Sequence, residues 1–154
     1  MIKMILCLIS LGMVACSSNS QPANISYIDS NIDSNNEVIL HFSANKDFGK
    51  REHNESGSYV FCLLKNPDQM DLNDYIPDFS SEALHGVIPR NQNAFYNQST
   101  KLYEYEVILM KTVNFDLINL NSSIFCRVFT GRVSGGFGKS NNIEVVNPFK
   151  KLRK

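Results

Sequence analysis

The stretch LYEYEVILMKT, residues 102–112, places Tyr103, Tyr105, Val107 and Leu109 on one side and Glu104 and Glu106 on the other. Successive side chains of a strand point to opposite faces, so a period of two with carboxylates on one side describes a strand half in a core and half in water. The run EVILHFS, residues 37–43, repeats the pattern, with Val38, Leu40 and Phe42 opposing Glu37, Ile39 and His41. Working outward, Ile25 to Ile28, Ser58 to Lys65, Ser123 to Thr130 and Ile143 to Val146 are rich in β-branched and aromatic residues and are bounded by Asn, Gly, Asp and Pro. No long segment carries the helical period. The expectation is an all-β protein, an antiparallel β-sandwich of immunoglobulin-like or transthyretin-like kind occupying residues 24–149.

One segment breaks the rhythm. Between the third and fourth predicted strands, Asn66 to Thr100 forms a long excursion in which Asn66-Pro67-Asp68-Gln69 has the grammar of a helix start. A second short helical turn is expected from Ser80 to His85, stopping at Gly86. Long excursions from a compact scaffold are frequent binding sites. Tyr75, Phe79 and His85 within it are therefore candidate partner-binding residues, together with Phe137 in the glycine-rich hairpin Gly135-Gly136-Phe137-Gly138.

Cys62 and Cys126 each fall mid-strand on an inward face, Cys62 between Val60 and Leu64 and Cys126 between Ile124 and Val128. An even pair in an exported chain reads as one disulfide, here expected to tie the two sheets of the sandwich together. The architecture partly resembles an immunoglobulin-like sandwich, but the chain has no tryptophan, and Ile124 stands two before the second cysteine where that family has a tyrosine.

Residues 1–15, MIKMILCLISLGMVA, put Lys3 ahead of an apolar run too short for the roughly 20 residues of a membrane-spanning helix. The run ends at Met13-Val14-Ala15-Cys16, followed by Ser17 and Ser18. This resembles the lipobox of bacterial lipoproteins, a likeness confined to the first eighteen residues. It implies cleavage before Cys16, acylation of that cysteine, with palmitate among the attached chains, and, from the serine after it, an outer-membrane address facing the periplasm. Residues 16–23 are then a flexible tether. Each buried methylene adds roughly 0.8 kcal/mol, so several acyl chains make a lasting anchor.

Charge narrows the partners. Residues 16–149 hold 10 basic and 15 acidic side chains, a net charge of −5, which argues against nucleic acid. The basic tail, residues 150–154, reads as solvated.

Motifs that invite chemistry fail on spacing. Gly138-Lys139-Ser140 ends like a phosphate loop, but Val133 stands where the first glycine belongs and a strand pattern follows. Asp68, Asp71, Asp74 and Asp78 lack the ligand order of a calcium loop, and His41, His53 and His85 have no ligand at metal spacing. The sequons at Asn24, Asn54, Asn97 and Asn121 carry no meaning in a bacterial lipoprotein. No nucleophile motif supports an enzyme, and no cofactor or metal is implied. The expected function is that of a lipid-anchored envelope protein binding another protein. Its concrete form is an immunity protein that neutralises a secreted toxin, in the manner of the periplasmic antidotes of type VI secretion systems; the alternative is a structural or assembly lipoprotein of the envelope or of a secretion apparatus.

Overall fold

A computed structural model describes residues 22–63, 83–91, 94–111 and 123–148. Nine strands follow one another: β1 (Ile25–Ile32), β2 (Val38–Ala44), β3 (Glu55–Leu63), β4 (Ala83–Ile88), β5 (Phe95–Asn97), β6 (Leu102–Lys111), β7 (Ile124–Arg132), β8 (Phe137–Lys139) and β9 (Ile143–Val145). All pairings are antiparallel, in the order β1-β2-β6-β4-β3-β7-β8, with β9 beside β8 on the same edge of β7. The sheet curls into a nearly closed, barrel-like sandwich, so the all-β expectation holds.

The alternation read from the sequence sets the core. Val38, Leu40 and Phe42 are buried, as are Tyr105, Val107 and Leu109 across the ladder from them. Val60, Cys62, Ile124, Cys126 and Val128 close the other side. Phe42, Phe48 and Tyr105 form an aromatic cluster, with the Phe42 and Tyr105 rings stacked at 5.2 Å. The Tyr105 hydroxyl accepts a hydrogen bond from the Phe48 backbone N–H at 2.6 Å and donates to Asp47 Oδ1 at 3.0 Å. Burial, reinforced by the Asp47 carboxylate, pushes the phenol far above its ordinary range, so it remains a neutral donor that pins the β2–β3 connection to the core.

Three expectations are corrected. The helical turn at Ser80–His85 is not formed over its described part, because Ala83–Ile88 is strand β4, inserted between β6 and β3. Leu84, Gly86 and Ile88 alternate inward there, and Gly86 is a close-packing position instead of a helix stop. The excursion also contains β5, which pairs with the first residues of β6 while β4 pairs with its last ones. Cys62 and Cys126 are bonded, but they face each other across the β3–β7 ladder with Cα atoms 4.0 Å apart. The staple therefore lies within one sheet and does not join two. Asn66–Gln69 falls outside the described residues.

β8 and β9 share one edge of β7 with a gap between them, and Ser140 fills it. Its backbone N–H donates to the Val128 carbonyl at 3.0 Å, and its hydroxyl accepts from the Val128 N–H at 2.9 Å. The serine of the GKS stretch is thus consumed by the backbone. Gly135 and Gly136, with φ of 91° and 81°, supply the left-handed conformations of the β7–β8 turn.

The barrel is completed where β1 approaches β9, and side chains hold that seam. Asn141 Oδ1 accepts from the Ile25 N–H at 2.6 Å while its Nδ2 donates to the Ile25 carbonyl at 2.9 Å, imitating a strand neighbour. The Ser30 hydroxyl donates to the Val146 carbonyl at 3.1 Å. Replacing Asn141 with alanine is expected to cost about 1–2 kcal/mol, the worth of two half-buried hydrogen bonds. The Ile25 amide should then exchange with solvent before the core amides do; unchanged protection there would show that the seam does not depend on Asn141.

Candidate functional site

Two surfaces concentrate features suited to binding. The first is a cavity of about 320 Å³ at the seam. Buried Phe48, Val128 and Thr130 contribute to its wall, and exposed Arg132 and Phe137 border it. Pro22 and Ala23, where the described chain begins, line it too. Lys46 enters from the β2–β3 connection and is held by an ion pair to the nearly buried Glu55 and by a second to Glu52 at 3.5 Å. The Thr130 and Ser58 hydroxyls pair with each other at 3.2 Å. The Ser140 hydroxyl is committed to Val128 and donates to the Asn141 carbonyl. Among the described residues of the lining there is no histidine, and the carboxylate present is bound to a lysine. Such a lining can accept a ligand, but it offers no base beside a nucleophile.

The second surface is the outer face of the sheet around β4 and β6. Ile108 stands opposite Ile39, Met110 opposite His85, and Val87 opposite Tyr59. Val87, Ile108 and Met110 remain 48%, 49% and 44% exposed. On β3 and β7 the neighbouring outward positions are not exposed: Phe61 and Phe129 meet edge to face at 5.5 Å and are buried, so among the described residues the exposed apolar band is confined to β4 and β6. Toward β1 the band ends in a polar row. His41 contacts Asp29 through Nδ1 and lies 3.0 Å from Glu106 Oε2 through Nε2. Both ring nitrogens face carboxylate oxygens, so neither is directed at open space where a metal or a substrate could approach. Among the described residues no group of three or more His, Cys, Asp or Glu side chains is arranged to hold a metal.

The candidate partner-binding residues do not converge. His85 is half-buried on the outer face, with its ring 6.4 Å from that of Phe61. Phe137 lies in β8 at the cavity, just past the hairpin tip, where Val133 is the more exposed apolar residue. Tyr75, Phe79 and Cys16 fall outside the described residues. The sequence reading missed the band of Val87, Ile108 and Met110. Its signal was present in VILM, residues 107–110, where the outward positions change from glutamate to apolar.

No family model matches the sequence, and comparisons with curated proteins and with solved structures gave no match either.

Proposed function

We propose that this chain is a non-catalytic envelope protein, tethered by lipid on Cys16, that binds another protein through the outer face of its sheet. In its concrete form it neutralises a toxin delivered to the periplasm. The observation that carries this reading is the contiguous exposure of Val87, Ile108 and Met110 on two neighbouring strands. Large apolar side chains set side by side on a regular, rigid sheet are what a protein partner desolvates, and a small cluster of such residues supplies most of an interface's energy. The disulfide and the buried core keep that face preorganised, which lowers the entropic cost of association.

The test is co-purification with the product of the adjacent gene, together with protection of cells that receive that product in the periplasm. The Val87→Glu, Ile108→Glu double variant should bind at least about tenfold more weakly, since burying two unpaired carboxylates costs well over 1.4 kcal/mol. A full chain that forms no complex with that product and gives no protection sinks this reading.

A further inference from the structure

The strand registers put one set of chain segments at a single end of the barrel. Ile25 of β1 lies beside Ala44 of β2, which lies beside Tyr103 of β6. Ile88 of β4 lies beside Ser58 of β3, and Glu55 beside Arg132 of β7. The start of β1, the β2–β3 connection, the residues after β4, the β5–β6 turn and the β7–β8 hairpin therefore share this end. Backbone hydrogen bonds tie them together, from Asn91 N–H to the Gly49 carbonyl at 3.1 Å and from Val133 N–H to the Asn54 carbonyl at 2.8 Å.

Charge is distributed unevenly between the two ends. Lys46, Lys50 and Arg51 sit in the β2–β3 connection, Arg90 follows β4 and Lys101 precedes β6. Arg132 and Lys139 flank the hairpin. Against these stand Asp47, Glu52, Glu55 and Glu104. Elsewhere among the described residues the balance reverses, with Lys111 and Arg127 facing Asp29, Asp33, Glu37, Glu106 and Glu144. The basic end also exposes apolar and aromatic side chains: Val133 at 74%, Phe95 at 66%, Phe137 and Tyr96. Cations mixed with aromatic rings suit the headgroup layer of a bilayer, where the rings sit at the polar boundary and the cations meet phosphate.

The chain enters the domain at this same end. Pro22 and Ala23 line the cavity together with Arg132, Phe137 and Lys139. Five residues lie between Cys16 and Pro22, so the two are six residue steps apart, at most about 21 Å when fully extended. We infer that the basic end of the barrel is a membrane-docking surface that lies against anionic phospholipid, with Phe95, Val133 and Phe137 at the headgroup boundary. The inference rests on the reading of Cys16 as the lipid-bearing residue. It turns a loose tether into a fixed orientation, with the strands upright on the bilayer and the apolar band of β4 and β6 turned sideways, free for a protein.

The chain has no tryptophan, so a single introduced one reports its own surroundings. The acylated full chain carrying Phe137→Trp, Phe95→Trp or, as a side-face control, Val87→Trp would be reconstituted into vesicles containing brominated acyl chains. The vesicles are made either from phosphatidylglycerol with phosphatidylethanolamine or from phosphatidylcholine alone. Phe137→Trp and Phe95→Trp should be quenched in the anionic vesicles and released by high salt, while Val87→Trp stays unquenched. Adding the exposed-site changes Arg90→Glu and Arg132→Glu should lower the ratio of docked to undocked protein by on the order of tenfold. Equal quenching of all three variants, or none at any of them, overturns the docking surface. So does a Phe137→Trp emission shift that follows protein concentration in the absence of lipid, which would assign this end to a second copy of the chain. Mass spectrometry of the purified protein reads the acyl group separately. If it is missing the tether reading falls, and salt-sensitive quenching of the same variants on added anionic vesicles still decides the surface.

Discussion

Replacing Gly86 with alanine is expected to destabilise the domain by about 3 kcal/mol, at the upper end of the usual cost of overpacking. A Cβ at this position would meet Val107 Cγ1 at 2.5 Å, the Ile108 carbonyl oxygen at 2.7 Å and Leu109 Cδ2 at 3.0 Å. The two side chains could rotate, but the carbonyl belongs to the backbone of β6 and moves only if β4 and β6 separate. Both strands are interior to the sheet order, with β6 held on its far side by β2 and β4 by β3, so separation there strains ladders in both directions. The gain that alanine ordinarily brings by stiffening the unfolded chain, below about 1 kcal/mol, is too small to offset this. Chemical denaturation should show a lower midpoint with an unchanged slope. A loss of less than 1 kcal/mol would mean that the strands do not approach so closely at Gly86.

Reduction of the Cys62–Cys126 bond should have an effect of similar or larger size. The bond spans a sequence separation of 64, and closing a loop of that length in the unfolded chain corresponds to about 4 kcal/mol. The two cysteines are fully buried and already neighbours in a ladder of eight aligned pairs, so reduction leaves the native pairing in place and acts mainly by freeing the unfolded state. Thermal melting with and without reductant should therefore show the same folded spectrum and a clearly lower midpoint in the reduced protein. Equal midpoints would show that the bond contributes nothing to stability. The Cys62→Ala, Cys126→Ala pair should lose more than reduction alone, since it also removes two buried sulfur atoms and leaves small voids.

The sequence exposed the parts of this fold that repeat a local rule. Alternation along β2 and β6 predicts which side of each strand is buried, and Val38, Leu40, Phe42, Val107 and Leu109 are all in the core. Alternation names a face but not a neighbour. Two cysteines on inward faces look the same whether their strands lie in opposite layers or side by side, and that is why the disulfide was expected between sheets. β4 was hidden because one of its three inward positions is Gly86, which removes the apolar signal at the point where the strands come closest. β5 and β8 have three residues each, too few to show a period. The cavity was not legible at all, because its lining draws on residues from Pro22 to Ser140 that meet only after the barrel curls. The basic end was hidden for a related reason. The sign of charge along the chain gives no polarity until the strand directions determine which turns share an end.

The seam clasped by Asn141 has a mechanical meaning as well. Under the proposed lipid tether on Cys16, a pull on the far surfaces of the domain would reach the membrane through β1. Along one edge β1 is bound to β2 by a ladder interrupted once, between Tyr27 and Asp29, while along the other the seam is held by the side chains of Asn141 and Ser30 and by the Asn141 N–H donating to the Ala23 carbonyl at 3.3 Å. Under such a load the seam is the weaker edge of β1 and would part before the β1–β2 ladder does.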